Sequence, residues 1–197
     1  MALKGYLALV KVASTPIAFT DEATTTSDNQ EYTISNASKV LWDIDTTLVV
    51  EDGGVPTVEP YTLSRLTGTV AFSTVDAGRV ITVTGAYVTT TTVAEAKSFS
   101  FNATSDALDS TRFQDSFRQF KPGNVTGTAE LGRFLELDDL FIDMLLDGER
   151  KIIEYYPQNT LDPIRFFGVA NTRNVEAPQA GLLDESISFN ITTEIGV

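Results

Sequence analysis

The sequence predicts a mainly β protein, a sandwich or barrel with one α-helix laid against a sheet. Two patterns carry this. From Tyr61 onward, apolar residues alternate with hydroxyl residues at a period of two, as in Val70 and Phe72, Ile81 and Val83, Phe99 and Phe101, and Ile187, Phe189 and Ile191. That is the signature of strands with one buried face. A single helical stripe interrupts them: Leu137, Leu140, Phe141, Met144 and Leu145 recur at i, i+3, i+4, i+7 and i+8,. A helix of about three turns does not fold alone in water, so it needs a sheet to cover.

The best-specified stretch runs from Val125 to Tyr156 and reads as strand, helix, strand. Asp138 and Asp139 put negative charge on the first turn, where the helix dipole favours it, and Gly148 suits the left-handed C′ position,. The helix is therefore set at about 138–147. Earlier in the chain, Ala2 to Val12 is an apolar strand covered on both faces,. Thr20 to Lys39 is polar, with one short strand near Glu31 to Ile34, and reads as a long exposed loop or arm,. Val40 to Val50 returns to strand character and carries the only tryptophan, Trp42, which reads as core rather than as a ligand platform,. Glu51 to Pro60 is a hairpin tip with Asp-Gly turn chemistry, and Asp76-Ala77-Gly78 turns between two strands,.

Thr89 to Thr92 favour strand because they are β-branched,. Each of these strands is apolar on one side and hydroxyl-rich on the other, so the hydroxyl side is wet or meets another subunit. Ser110 to Phe120 breaks the alternation: Phe113, Phe117 and Phe120 are helically spaced, Thr111 with Gln114 makes a capping box, and Pro122-Gly123 ends the run,. Arg112, Arg118 and Lys121 interleave with those aromatics in the manner of a single-strand nucleic-acid platform,. The net charge opposes that reading, which leaves a short packing helix or an interface segment. Ile164 to Ala170 and Glu185 to Thr192 are the last strands, separated by a turn region rich in Asn and Pro. No repeat, linker or composition break divides residues 1–197, so one domain is expected.

Composition excludes more than it selects. A hydrophobic fraction of 42% supports a sizeable core,. The net charge of -13 argues against gripping nucleic acid or an anionic membrane, both of which need Lys and Arg,. The absence of cysteine and histidine removes thiol chemistry, Ser-His-Asp catalysis and histidine metal sites,. Met1 to Pro16 is like a signal peptide only superficially, because Lys11 interrupts its apolar run, so a soluble, non-exported chain is expected,.

Asp138, Asp139, Asp143 and Asp147 cluster on the helix, but as i, i+4 neighbours they read as its solvated face rather than a metal or glycosidase site,. Asp43, Asp45, Glu51 and Asp52 lack the spacing of a calcium loop,. Asn36, Asn102, Asn124 and Asn190 head Asn-x-Ser/Thr triplets that a Thr-rich composition produces without export,. No catalytic, cofactor-binding or metal-binding residue is expected, and no cofactor; the chain reads as a non-enzyme.

Several pieces in order carry a family resemblance. Tyr32-Thr33-Ile34-Ser35 is followed by Lys39-Val40-Leu41-Trp42-Asp43 and the Asp52-Gly53-Gly54 tip. Then come Gly68-Thr69-Val70-Ala71-Phe72, Val80-Ile81-Thr82-Val83-Thr84-Gly85-Ala86-Tyr87, the helix after Gly127-Thr128-Ala129, and Glu185-Ser186-Ile187-Ser188-Phe189. From about Glu31 onward this order resembles the siphophage-like major tail proteins, the tail tube proteins of tailed bacteriophages. The resemblance implies a β-sandwich or split β-barrel flanked by one helix, with long loops or arms at Thr20 to Lys39 and Glu51 to Pro60. It implies a structural virion protein that self-assembles as stacked hexameric rings into the tail tube, the conduit for genome ejection. Its partners would be itself, tape measure and terminator proteins, with DNA passing through the lumen unbound and no membrane. Assembly would take place in the bacterial host cytoplasm. Part of the negative charge would line the lumen. The alternative from another class is a carbohydrate-binding or adhesin-like β-sandwich, which needs an exposed platform from Tyr6, Tyr61, Tyr87, Tyr155 or Tyr156. A carboxylate hydrolase stands third.

Overall fold

Period-two alternation becomes sheet wherever the sequence placed it. The structure, a computed structural model, describes residues 9–95, 97–109, 120–134, 140–157, 162–176 and 183–196. These residues form fourteen strands, one 3-10 turn at Ala37–Lys39 and one α-helix. They pack as two compact units, Met1–Glu95 with Arg150–Phe167 and Thr193–Val197, and Ala96–Glu149 with Gly168–Thr192. The chain passes between units inside two strands, β13 (Ile164–Glu176) and β14 (Asp184–Gly196), at the step after β9 (Thr90–Glu95), and between Glu149 and Arg150. No linker is needed, which is why no composition break marks the division.

In the first unit β4 (Val49–Asp52), β5 (Val55–Pro56), β8 (Ile81–Tyr87), β2 (Ile17–Thr26), β3 (Glu31–Ile34), β7 (Thr69–Phe72) and β6 (Tyr61–Ser64) form one sheet, in the order β5-β4-β8-β2-β3-β7-β6. Its edge strands β5 and β6 are joined by residues 57–60 alone. Six interstrand steps of a flat sheet span about 29 Å, whereas that connection reaches only about 17 Å. The sheet must therefore curl. Its inner face converges on one core of Phe19, Tyr32, Ile34, Trp42, Leu48, Val50, Val70, Phe72, Ile81 and Val83. Trp42 is fully buried there, in the core role its size implies,.

Gly85 lets Leu48 lie across β8, since a Cβ there would meet Leu48 Cδ2 at 2.2 Å. A second core of this unit, with Ala13, Leu41, Leu66, Val88, Ile152 and Phe167, gathers under β1 (Leu9–Ala13), β12 (Lys151–Tyr156) and β13. β1 pairs with both β12 and β9. Where β1 runs into β2 and β8 into β9, the Ser14 N–H donates to Thr89 O at 2.7 Å, so both strands turn the corner together.

In the second unit β10 (Ser98–Asp109), β11 (Phe120–Phe134) and β14 are consecutive and antiparallel, with the second half of β13 beyond β14. Helix α1 (Leu140–Asp147) covers one face with Phe141 and Met144, both buried. Gly148 closes it at φ +65°, its N–H donating to Met144 O at 3.1 Å,. The fold is mainly β with a flanking helix, as expected; Leu137, Asp138 and Asp139 lie outside the described residues.

Four local expectations change. Thr20 to Lys39 is mostly strand: β2 and β3 sit in the middle of their sheet. Asp28 and Asn29 build their turn, with Asn29 at φ +58°. β3 is the short strand expected at Glu31 to Ile34, whereas the sequence hid β2 because hydroxyl and acidic residues face outward along it. Val40 to Val50 is largely loop, since the Asp43 carboxylate accepts from Thr46 N at 2.8 Å and Thr46 Oγ1 at 2.6 Å, competing with the ladder,. The helix read over Ser110 to Phe120 falls outside the described residues up to 119. At its end Phe120 pairs with Asp109 and Pro122 with Ala107 as strand, so the expected stop at Pro122-Gly123 lies inside β11. Asn171 to Glu176 extends β13 rather than forming a turn.

Gly68, at φ +64°, would place a Cβ 2.9 Å from the Val40 backbone. Gly68→Ala is expected to cost about 1–3 kcal/mol in urea unfolding, because backbone cannot give way as a side chain would. Asp28 accepts from the N–H of Glu31 at 2.8 Å and of Gln30 at 2.9 Å, which together hold its carboxyl below the ordinary pKa. A lowered folded pKa means stability that is complete above the ordinary carboxylate range and is lost as pH falls through the folded value. Asp28→Asn should therefore flatten the acid limb of the stability-pH profile relative to the parent chain.

Candidate functional site: the polar face of the second unit

β11 and β14 pair directly from Gly127 opposite Ile191 to Phe134 opposite Asp184. The register puts Ala129 with Phe189, Leu131 with Ile187 and Arg133 with Glu185 on the face beneath α1. Phe141 of α1 stacks 5.6 Å from Phe189, and the Arg133 guanidinium lies 4.7 Å from the Phe141 ring centre. The Arg133 Nε donates to Glu185 Oε2 at 2.6 Å, while Arg173 Nε donates to the other oxygen. Glu185 is thus a buried carboxylate held between two guanidinium groups.

The opposite face carries the complementary set. Its rungs run Ser100, Glu130, Ser188; then Asn102, Thr128, Asn190; then Ser98, Gly132, Ser186. Thr104 and Thr126 continue it, their hydroxyl oxygens 3.0 Å apart. Gly132 has no side chain because Ser98 lies over it, its Oγ 2.3 Å from where a Cβ would stand. At the end of the face the Lys97 ammonium sits 2.7 Å from both Asp184 oxygens and 5.2 Å from the Phe134 ring centre. An open recess of about 460 Å³ beside this pair is also lined by Glu130, Asn174 and Glu176. Hydroxyls, amides and carboxylates therefore dominate the face, and its lysine is engaged by a carboxylate.

Asp143 and Asp147 are exposed on α1. Asp45 pairs with Arg150, and Asp52 accepts from Val80 N at 2.9 Å. The buried Glu154 takes Thr90 Oγ1 at 2.6 Å, Arg165 Nε at 2.8 Å and Tyr156 at 3.3 Å. Among the described residues no three acids gather as a metal site, and no helix is long and apolar enough to cross a membrane. Asn36 caps the 3-10 turn, accepting from Ser38 N at 3.1 Å, whereas Asn102 and Asn190 belong to the polar face. Tyr61, Tyr87, Tyr155 and Tyr156 are half-buried. Tyr61 packs on Phe72, Tyr87 on Phe19 and Tyr156 under Lys11, and burial pushes the Tyr155 phenol pKa up. Those four rings do not make an exposed platform; Tyr6 lies outside the described residues.

The alternation that predicted the strands already separated Ser98 and Ser100 from Phe99 and Phe101. The Arg133–Glu185–Arg173 cluster was missed. Its only signal is three charged residues at positions where the period demands apolar ones.

No family model and no curated protein matches the chain. Several solved chains are similar to part of it. One belongs to the virion of a native gene transfer agent particle (TM-score 0.47) and one to the tail of an empty particle of that kind with C6 symmetry (TM-score 0.48). Each is 10% identical and covers 54% of this chain, over 86% and 84% of its own length respectively. At that identity and extent, the functional reading rests on this chain's own residues.

Removing the Glu185 carboxylate strands two guanidinium groups. Glu185→Leu should cost about 3–5 kcal/mol in urea unfolding, while Asp184→Asn, at the half-exposed end of the opposite face, should cost under about 1 kcal/mol.

Proposed function

We propose that this chain is the subunit of a phage tail tube: a structural, non-enzymatic protein, one tail-tube-like domain over residues 1–197. The observation that carries the reading is the polar face of β10, β11 and β14 beside an unpaired edge. β10 is the last strand of its sheet, twelve residues long, with no neighbour beyond it among the described residues. A long open edge invites pairing with another chain unless it is closed. In the proposed assembly each copy's sheet joins the next, six copies close a ring, and rings stack into a tube. The resemblance noted from the sequence supports the same arrangement, with tape measure and terminator proteins as further partners, assembly in the host cytoplasm and residence in the virion tail.

The chemistry of the face then explains its composition. Duplex DNA carries about one negative charge per 1.7 Å of axis, and a basic wall would hold it by releasing condensed counterions. Ser100, Asn102, Thr128, Ser188 and Asn190 offer hydrogen-bonding groups that water serves equally well, and Glu130 repels phosphate. DNA slides past such a wall without a preferred stop. The balance of -13 also makes subunits repel at low ionic strength, so added salt favours polymerisation,.

Phage carrying Ser100→Lys, Glu130→Lys and Ser188→Lys together should assemble tubes of normal length by negative-stain microscopy and eject DNA at least about tenfold more slowly. Unchanged ejection from tubes of that composition contradicts the reading, as does a purified protein that stays monomeric at high salt and binds glycans.

A further inference from the structure

Three segments of the first unit meet at one end of its curled sheet: residues 27–30, 51–60 and 73–80. The Gly53 N–H donates to Val80 O at 3.0 Å, and the Asp76 N–H donates to Asn29 O at 3.1 Å. Valines stand out of these turns, Val58 at 99% exposure and Val55, Val75 and Val80 at 65% each. Single exposed valines are ordinary, but a group of them at one end marks a contact surface. The same segments carry the carboxylates Asp28, Glu51, Asp52, Glu59 and Asp76. Their one cation, Arg79, has a side chain only 4% exposed and pairs with Glu59. The Glu51 carboxylate has no partner among the described residues. This end is acidic and apolar.

The opposite sign gathers on one sheet face of the same unit, across β13, β12, β1 and β9. Lys11 of β1 shares a rung with Glu154 and Thr92. Its ammonium sits 4.6 Å from the Tyr156 ring centre and pairs with no carboxylate among the described residues. Glu154 is buried and takes Arg165 Nε at 2.8 Å. The two terminal nitrogens of Arg165, on a side chain 28% exposed, have no partner among the described residues. Two cations flanking one carboxylate leave this row with an excess positive charge. Elsewhere in the unit, Lys39 is taken up by Glu22, Arg150 by Asp45, and Arg65 by the carbonyls of Asp43 and Thr46. Leu9 and Tyr156, opposite each other on the neighbouring rung and both half-buried, give the row an apolar flank.

Copies of a chain with a net charge of -13 repel one another, so a close contact between them needs local charge complementarity,. We propose that the valine-rich acidic end of one copy docks on the Lys11–Arg165 row of a second copy, with the two cations meeting Glu51 and its neighbouring carboxylates and the valines resting on Leu9 and Tyr156. This rests on the tube reading and adds to it which surfaces of adjacent copies meet. The contact is heterologous, one patch against a different one, so it propagates rather than stopping at a dimer. Ion pairs closed off from water are screened less than exposed charges, so salt that relieves the overall repulsion leaves this contact in place.

The chain has no cysteine, so introduced thiols report only the chosen positions. Full-length Val58→Cys and Thr92→Cys proteins, carrying different mass tags, are mixed and treated with a short bismaleimide. A species containing both tags is expected, at least about tenfold more abundant than with Thr67→Cys in place of Val58→Cys, because docking concentrates the two thiols. In the Thr92→Cys copy, Lys11→Gln removes the cation without setting a second carboxylate beside Glu154, and it should lower the yield about fivefold. Lys11→Glu should lower it about tenfold, and Glu51→Lys in the Val58→Cys copy should restore it, as a swapped ion pair does. A yield no higher than the Thr67→Cys control, a yield indifferent to both Lys11 variants, or a charge swap without rescue overturns the contact. Microscopy of the same samples separates the two ideas: tubes without the cross-link count against this contact alone, and the cross-link without tubes counts against the tube.

Discussion

The pairing register of β11 with β14 is the constraint on which the functional face depends. Side chains alternate with a period of two, so sliding β11 by a single residue would carry Glu130 under α1 and push Leu131 into water. The structure holds the register from both sides at adjacent residues. Glu185 pins Arg133 and Arg173 on the helix side, and Asp184 pins Lys97 on the polar side. A buried ion cluster is weak evidence for stability as such. Here it marks a geometry: the carboxylate is satisfied by both guanidinium groups only when β11 and β14 meet in this alignment.

A different constraint governs the first unit. The four-residue connection between its edge strands forces the curl, and the curl gathers turns from distant parts of the chain onto one end. Turn chemistry does the detailed work there. Asp28 organises one turn, the Gly53 and Gly54 pair with φ of +60° and +81° another, and Arg79 binds them through its contacts to Glu59 and Asp76. The core beneath is filled by aromatic and branched side chains, so the turns can carry carboxylates and exposed valines without weakening it. A surface tolerant of sequence is a natural place for contacts between molecules.

Much of this was legible in the residues. The alternations at Val70 and Phe72, Ile81 and Val83, and Ile187 and Phe189 became strands with those side chains buried. The helical stripe became α1, and Gly148 took the left-handed position at its end. Where reading failed, a local interaction had displaced the expected pattern. Asp43 diverted a β-like stretch into a loop, and β2 was obscured because its outer face is as polar as any loop. The polar face was visible as alternate serines and threonines, but its rungs needed the register, which pairs residues some sixty positions apart, such as Glu130 with Ser188.

The central claim is that the β10, β11 and β14 face looks inward on a bore closed by repeated copies of this sheet. A cryo-electron reconstruction of the polymerised protein tests it most directly. Ser100, Thr128 and Ser188 should line a continuous channel, with β10 hydrogen-bonded to a strand of the adjacent copy. The same residues turned to the outer surface, or packed against another subunit with no channel between them, would contradict it.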